Sequence, residues 1–461
     1  MRAALHGCLT AALAVLVVAD AHGQTPRYVV TDLGDFGGGE SIASAINTAG
    51  QVVGTSWLPG RTPGARCDEN RPFLYQNGVL SPLPTLPGTR FGYASGINDH
   101  GEVSGSDYVY VPGSGPTCFP GFVERQTPVL RSGGASIDLS AGDPTPSPWY
   151  AGVAFDVSNL SQVVGWSWRT AGGYHGFLWE NGSRQDVGTL GGWSIASAIN
   201  DNGVVVGYSD DGTGSFGFRI DGETMTRYPV VAAANKWNGT NDVSASGDAV
   251  GWSGPDGDMA QAVRYPSAGG VQALGTLGGT QSSAYAMNDA GDAVGYSFTA
   301  SNADRHATLW RSGQVFDLND TLPAGTDWQL VVASDINAGG KIVGYGCRNG
   351  RWSINEGLCR TSAGDPGFRR AFLLTPAVTV IGGLGDLILS FDLPKGMENS
   401  LLAKVDAAQA LADAGDLEGA CAVLRALSNQ VQAQSGKALT PAQADLLLQN
   451  IALVRQDIGC S

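Results

Sequence analysis

The sequence of 461 residues suits one large domain or two ordinary ones. Its charged fraction is 15%, its formal net charge is -15, and Lys and Arg together number 27. So sparse a basic complement excludes a cationic stripe for nucleic acid and an affinity for anionic membrane surfaces.

Residues 1–23 read as a secretory signal. Arg2 is the positive n-region, "LTAALAVLVVA" from Leu9 the apolar h-region, and cleavage is expected after Ala21 or Gly23. No later stretch is a credible span, since "AVTVIGGLGDLIL" from Ala377 is short and carries Asp386. A secreted protein, periplasmic or extracellular and without membrane insertion, is expected. Export makes Cys67, Cys118, Cys347, Cys359, Cys421 and Cys460 disulfide candidates, expected to pair with sequence neighbours. With no CxxC and five His, no metal is expected, and no cofactor.

The next region is a repeat. "INTAGQVVG" from Ile46 returns as "INDHGEVSG" from Ile97, "INDNGVVVG" from Ile199, "MNDAGDAVG" from Met287 and "INAGGKIVG" from Ile336. Decayed copies are "VSNLSQVVG" from Val157 and "VSASGDAVG" from Val243. The closing glycines Gly54, Gly105, Gly165, Gly207, Gly251, Gly295 and Gly344 are spaced by 51, 60, 42, 44, 44 and 49 residues. That period is one propeller blade of four strands, about 40–50 residues. Asn followed three residues later by Gly is a type I turn signature, so Asn47, Asn98, Asn200, Asn288 and Asn337 read as turn residues rather than metal ligands.

Each unit offers strands a ("GFLWE" from Gly176), b ("QDVGTL" from Gln185), c ("SIASAIN" from Ser194) and d ("VVVGYS" from Val204). The last unit lacks b, and "YVVTDLG" from Tyr28 supplies it. An all-β seven-bladed propeller over residues 24–376 is therefore expected, closed by its N-terminal strand. Its crowded axis suits the small residues of c, with a innermost as the rival phase. In the first phase "TLGG" is a crossover turn. No "GK[ST]" follows it, so a phosphate loop is not supported.

The segments "TDLGDFGG", "HGFLWENG", "DVGTLGG" and "RHATLW" resemble the HAF family of extracellular repeats, over roughly Tyr28 to Pro376. That resemblance implies secretion and a propeller-like fold, and no activity.

Alternating strands send loops b–c and d–a to one face, which carries the long insertions. Trp149, Trp193, Trp237 and Trp328 fall in b–c loops and are candidate ligand-binding residues at the channel mouth. Trp166, Tyr208, Trp252, Tyr296 and Tyr345 follow the repeat glycine and read as blade-packing core. His175 and His306 occupy equivalent places in the repeat, which explains them better than catalysis. Asp143, Asp210, Asp211, Asp256, Asp258 and Asp304 are acids on the long-loop face without a diagnostic spacing, and no catalytic residue is assigned.

After a linker at 377–395, the period changes from two to 3.6 over 396–461. Three helices are expected. Asp416 caps the second, Thr440 and Gln443 open the third with a capping box, and Cys421 lies beside Cys460. The order "NSLLAKVDAAQALADAGD…SNQVQAQSGKALTPAQADLLL" resembles the FIMAH domain, a helical module of secreted bacterial proteins. The function expected is binding of a glycan or an extracellular protein at the long-loop face. Alternatives are a carbohydrate-active hydrolase or lyase with acids at the mouth, and a structural envelope protein.

Overall fold

The computed structural model describes residues 25–60, 69–112, 122–141, 149–169, 173–232, 234, 236–256, 259–354, 356–361 and 366–460. The chain is mostly β, in a propeller-like arrangement of antiparallel sheets, with four helices after it. The first sheet runs Ser41–Ile46, Val52–Trp57, Asn70–Gln76, Val79–Pro82, in hydrogen-bonded order. Later sheets repeat that meander, opening on Thr89–Ile97, Trp149–Val157, Ser194–Ile199, Trp237–Val243 and Gly278–Met287. A single parallel bridge between Ser215 and Trp237 links two of them. In the last, Trp328–Ile336 and Ile342–Arg348 pair on to Arg369–Pro376, which pairs with the N-terminal strand Tyr28–Asp32.

The opening strands pack on one another in sequence, and Trp328–Ile336 packs back on Ser41–Ile46. They are the small-residue strands, and every sheet's copy lines one central cavity. The small-residue strand is therefore innermost, which settles the blade phase.

The repeated letters have distinct jobs. A register shift interrupts each innermost strand, for example between Ala43 and Ala45 or Ala196 and Ala198. At this bulge the backbones crowd the repeat glycine of the next strand. A Cβ on Gly54, Gly105, Gly165, Gly207, Gly251, Gly295 or Gly344 would stand 1.9–2.1 Å from a carbonyl oxygen of the innermost strand. These glycines are demanded by close approach, not by turn conformation.

The turn asparagines bond their own turns, as when Asn47 Oδ1 accepts from Gln51 N at 2.9 Å. They also tie neighbouring sheets. The Nδ2 of Asn47 donates to Asn98 O, Asn98 to Ser158 O, Asn200 to Ser244 O, Asn288 to Asn337 O and Asn337 to Asn47 O, at 2.8–3.3 Å. Serines early in the innermost strands do similar work. Ser41, Ser194 and Ser282 accept from Ala371 N, Gly176 N and Ala262 N of the preceding sheet.

The helices are α1 (Ile381–Leu389), α2 (Lys395–Asp413), α3 (Leu417–Gln434) and α4 (Pro441–Asp457). The sequence suggested three. The glycine-rich segment taken as linker forms α1, because Ile381, Leu384 and Ile388 bury against Leu401, Val405, Leu447 and Ile451. The Asp416 cap, the Thr440–Gln443 capping box and the Cys421–Cys460 disulfide stand as expected. Among the described residues no helix is long and apolar enough to cross a membrane. The bundle docks through Arg27–Asp457 (2.6 Å), Gln449 Nε2 to Val30 O (3.1 Å) and Val378 N to Asn450 Oδ1 (2.7 Å).

Candidate functional site

The central cavity has a volume of about 480 Å³. Its wall includes Ser44, Ser95, Ser197 and Ser334, each at the same step of an innermost strand, and all four half-exposed. Their hydroxyls make no hydrogen bond to a described residue. Phe155, Asn241 and Tyr285 take that step in the other sheets.

One residue further along stand Asp156, Asp242 and Asp335. Each carboxylate accepts two backbone N–H groups, one from its own strand and one from the next sheet. Asp156 accepts from Val157 and Ile199, Asp242 from Val243 and Met287, and Asp335 from Ile336 and Ile46, all at 2.7–2.9 Å. Three carboxylates thus satisfy six N–H groups exposed by the bulges. Burial raises all three titrations, and Asp335 raises that of Asp242 further. No basic side chain is among the described residues of the wall.

Aromatic rings gather above this cavity. Trp166, Trp168 and Tyr174 pack edge to face at 5.3–6.4 Å. Tyr174 lies against Trp193 at 5.2 Å, Trp193 against Tyr208 at 5.8 Å, and Tyr208 against Trp252 at 6.2 Å. Trp168 is 37% exposed at one end, while Tyr208 lines the cavity. Gly239 makes room for Trp252, whose indole lies 2.9 Å from where a Cβ on that glycine would stand. Burial lifts the Tyr208 hydroxyl above its ordinary titration range.

Across the mouth, Tyr285, Tyr296 and Tyr345 continue the ring of aromatics. Arg305 lies over Tyr296 at 5.1 Å and over Trp352 at 4.9 Å, and donates to the Tyr345 hydroxyl at 3.0 Å. The Cys347–Cys359 disulfide pins the hairpin carrying Trp352. Trp352 is buried, so this sector is closed where the Trp168 sector is open.

The candidate tryptophans separate. Trp193 stands within the arc, between Tyr174 and Tyr208. Trp237 is 42% exposed at the start of its strand. Trp328 is a packing residue instead, buried against Phe372 at 6.1 Å in a cluster with Leu318 and Leu330. The Trp149 side chain, Cys67, Cys118, Asp143, Asp258 and residues 1–23 lie outside the described residues. Asp211 pairs with Arg227 at 2.8 Å, and Asp210 and Asp256 accept backbone N–H groups. His175 and His306 contact Asp186 and Asp317 at equivalent places in their sheets.

The periodic aromatics Trp166, Tyr208, Trp252, Tyr296 and Tyr345, read as core, are half-buried; Tyr296 and Tyr345 pack against a buried cluster, while Tyr208 lines the cavity. Trp168 and Tyr174 were missed, although Trp-x-Trp on one strand places both rings on one face and Tyr174 pairs with Trp168 across the hairpin.

No known protein family matches the chain, and no curated protein does. Among solved structures, dipeptidyl peptidase 4 from Porphyromonas gingivalis aligns at 7% identity and TM-score 0.32, over 65% of this chain and 56% of that one. An acylaminoacyl peptidase from Pyrococcus horikoshii aligns at 11% and 0.35, over 71% and 52%. TolB from Acinetobacter baumannii aligns at 13% and 0.30, over 70% and 79%. Likenesses of this strength carry no argument about activity.

Proposed function

We propose that this chain is a secreted, seven-bladed propeller with an accessory helical module, and that it binds a glycan at the channel mouth. The observation that carries the reading is the arc of rings from exposed Trp168 to Tyr208 on the cavity wall. Sugar rings present C–H faces that stack on the negative face of an aromatic ring, while their hydroxyls bond to polar groups at its rim. Half-buried Trp and Tyr beside serines that have no hydrogen-bond partner among the described residues offer both. Two formed disulfides agree with an oxidising compartment. Of the acids on the long-loop face, Asp211 is engaged by Arg227, and Asp210 and Asp256 by backbone N–H groups, which fits binding better than turnover.

A glycan array probed with the full chain tests this. Saturable binding to a glycan class, lost in a Trp168→Ala, Trp193→Ala double variant that still folds, supports it. Binding that the double variant retains places the ligand elsewhere.

A further inference from the structure

Aromatic rings alone leave open whether a glycan lies across the mouth or enters it. From Trp168 the rings run through Tyr174 and Trp193 to Tyr208, a residue of the cavity wall, before passing on to Trp252. Beside Tyr208 the wall carries the hydroxyls of Ser44, Ser95, Ser197 and Ser334, contributed by four different sheets, with Phe155, Asn241 and Tyr285 at that step in the others. A volume of about 480 Å³ falls within the range of ligand pockets, roughly 300–1,000 Å³.

The cavity also has a sign. Asp156, Asp242 and Asp335 stand on its wall, and no Lys, Arg or His is among the described residues there. The carboxylates are held in place by backbone N–H groups, so they cannot swing away from an arriving anion. Burial first, and their mutual repulsion after it, raises the titration of Asp242 and Asp335. An anionic ligand would meet the same field with no counter-charge to offset its desolvation. The net charge of -15 extends that repulsion to the approach.

We infer that the ligand is the end of an uncharged glycan chain, stacked along Trp168–Trp193–Tyr208 and seated tip-first among the four serines, with acidic sugars excluded. The inference rests on the reading of the mouth as a glycan site, and adds its direction of entry and its charge class. A chain terminus has a free hydroxyl at its tip, which suits serines arranged around an axis. An internal segment would have to cross the mouth without reaching them.

The test is calorimetric, on the full chain at pH 8, above the value of about 7 to which Asp242 and Asp335 are pushed. The probes are cellotetraose, chitotetraose, maltotetraose and mannotetraose, with tetragalacturonate as the acidic counterpart. The variants are Ser197→Trp and Ser334→Trp, which fill the channel from different sheets, and the Trp168→Ala, Trp193→Ala double. Thermal melting confirms folding, so failure of one channel variant to fold leaves the other to report.

At least one neutral tetrasaccharide is expected to bind, with tetragalacturonate and each channel variant weaker by about tenfold or more. Binding lost in the arc double but untouched by the channel variants overturns tip-first entry and leaves the mouth reading standing. Equal affinity for tetragalacturonate overturns the charge class. No binding of any neutral tetrasaccharide by the wild-type chain overturns this inference, and the array then decides the mouth reading separately.

Discussion

The side-chain amide of Asn337 donates to the main-chain carbonyl of Asn47 at 3.0 Å, across 290 residues of sequence. Both residues begin the same motif, and the bond joins the last sheet to the first. Each turn asparagine thus closes its own hairpin and holds its neighbour. The decayed copies keep the first job and lose the second, since the Ser158 and Ser244 hydroxyls bond within their turns. Asn98→Ser should therefore lower stability by about 0.5–1.5 kcal/mol, the net worth of the lost hydrogen bond, since Ser158 O keeps its bond from Ser161 N. Ser158→Asn should raise it by about 0.5–1.5 kcal/mol by restoring a donor for Asn200 O. Chemical denaturation midpoints of the two variants check this, and a destabilised Ser158→Asn would contradict it.

One sheet departs from the repeat in a compensated way. Asp107 stands where five other copies have serine, and pairs with Arg131 at 2.5 Å, both side chains almost fully buried. Asp107 also accepts from Leu86 N, while Arg131 donates to Pro84 O and Tyr93 O. Arg131→Ala strands a buried carboxylate and should cost about 3–5 kcal/mol. An Asp107→Ser, Arg131→Leu double restores the repeat residue and should recover most of that loss. Equal loss in both variants would show that the pair is not the cause.

The channel aspartates give stability a pH dependence of definite sign. Burial, then the charge of Asp335, pushes Asp242 up to about 7, and burial pushes Asp335 up to about 7, from 3.8. Between those limits the folded state holds protons that the unfolded chain has released. Stability from these groups is therefore present below about 4 and lost as pH rises towards 7. Carboxylates held below their ordinary range, such as Asp317 beside His306, contribute with the opposite sign at lower pH. The difference between wild type and an Asp242→Asn, Asp335→Asn double isolates the channel. Melting temperatures from pH 4 to 7.5 should fall more steeply for wild type, and parallel profiles would contradict the assignment.

The Cys347–Cys359 disulfide closes a short loop under Trp352. Loop-closure entropy gives it about 3 kcal/mol against the unfolded chain. A Cys347→Ser, Cys359→Ser double should melt earlier and expose the Trp352 hairpin to protease. A variant as resistant as wild type would mean that Arg305 and the surrounding tyrosines hold the hairpin unaided.

Much of this was legible in the sequence, because the fold is written periodically. A spacing of 42–60 residues, a missing final strand and a matching first one give the closure through Tyr28–Asp32 and Arg369–Pro376 without any long-range information. The second role of Asn47 and its copies was hidden, because a turn signature already accounted for the residue and its outward bond depends on a neighbouring sheet. Segment α1 was hidden because IGGLGDLIL has poor helix propensity and gains its helix from packing. The candidate site was half legible. Trp193 was singled out because it breaks the repeat, whereas Tyr208 was set aside because it keeps it. Periodicity marks a place in the fold, and a place beside the axis serves packing and exposure at once.

The central claim is that ligand stacks on the arc between Trp168 and Tyr208. Titrating the full chain with a glycan identified on the array, and following tryptophan emission, tests it most directly. The account predicts a saturable change in emission that disappears in the Trp168→Ala, Trp193→Ala double and persists in Trp237→Ala. A saturable change that survives in the double variant, or vanishes in Trp237→Ala alone, would contradict it.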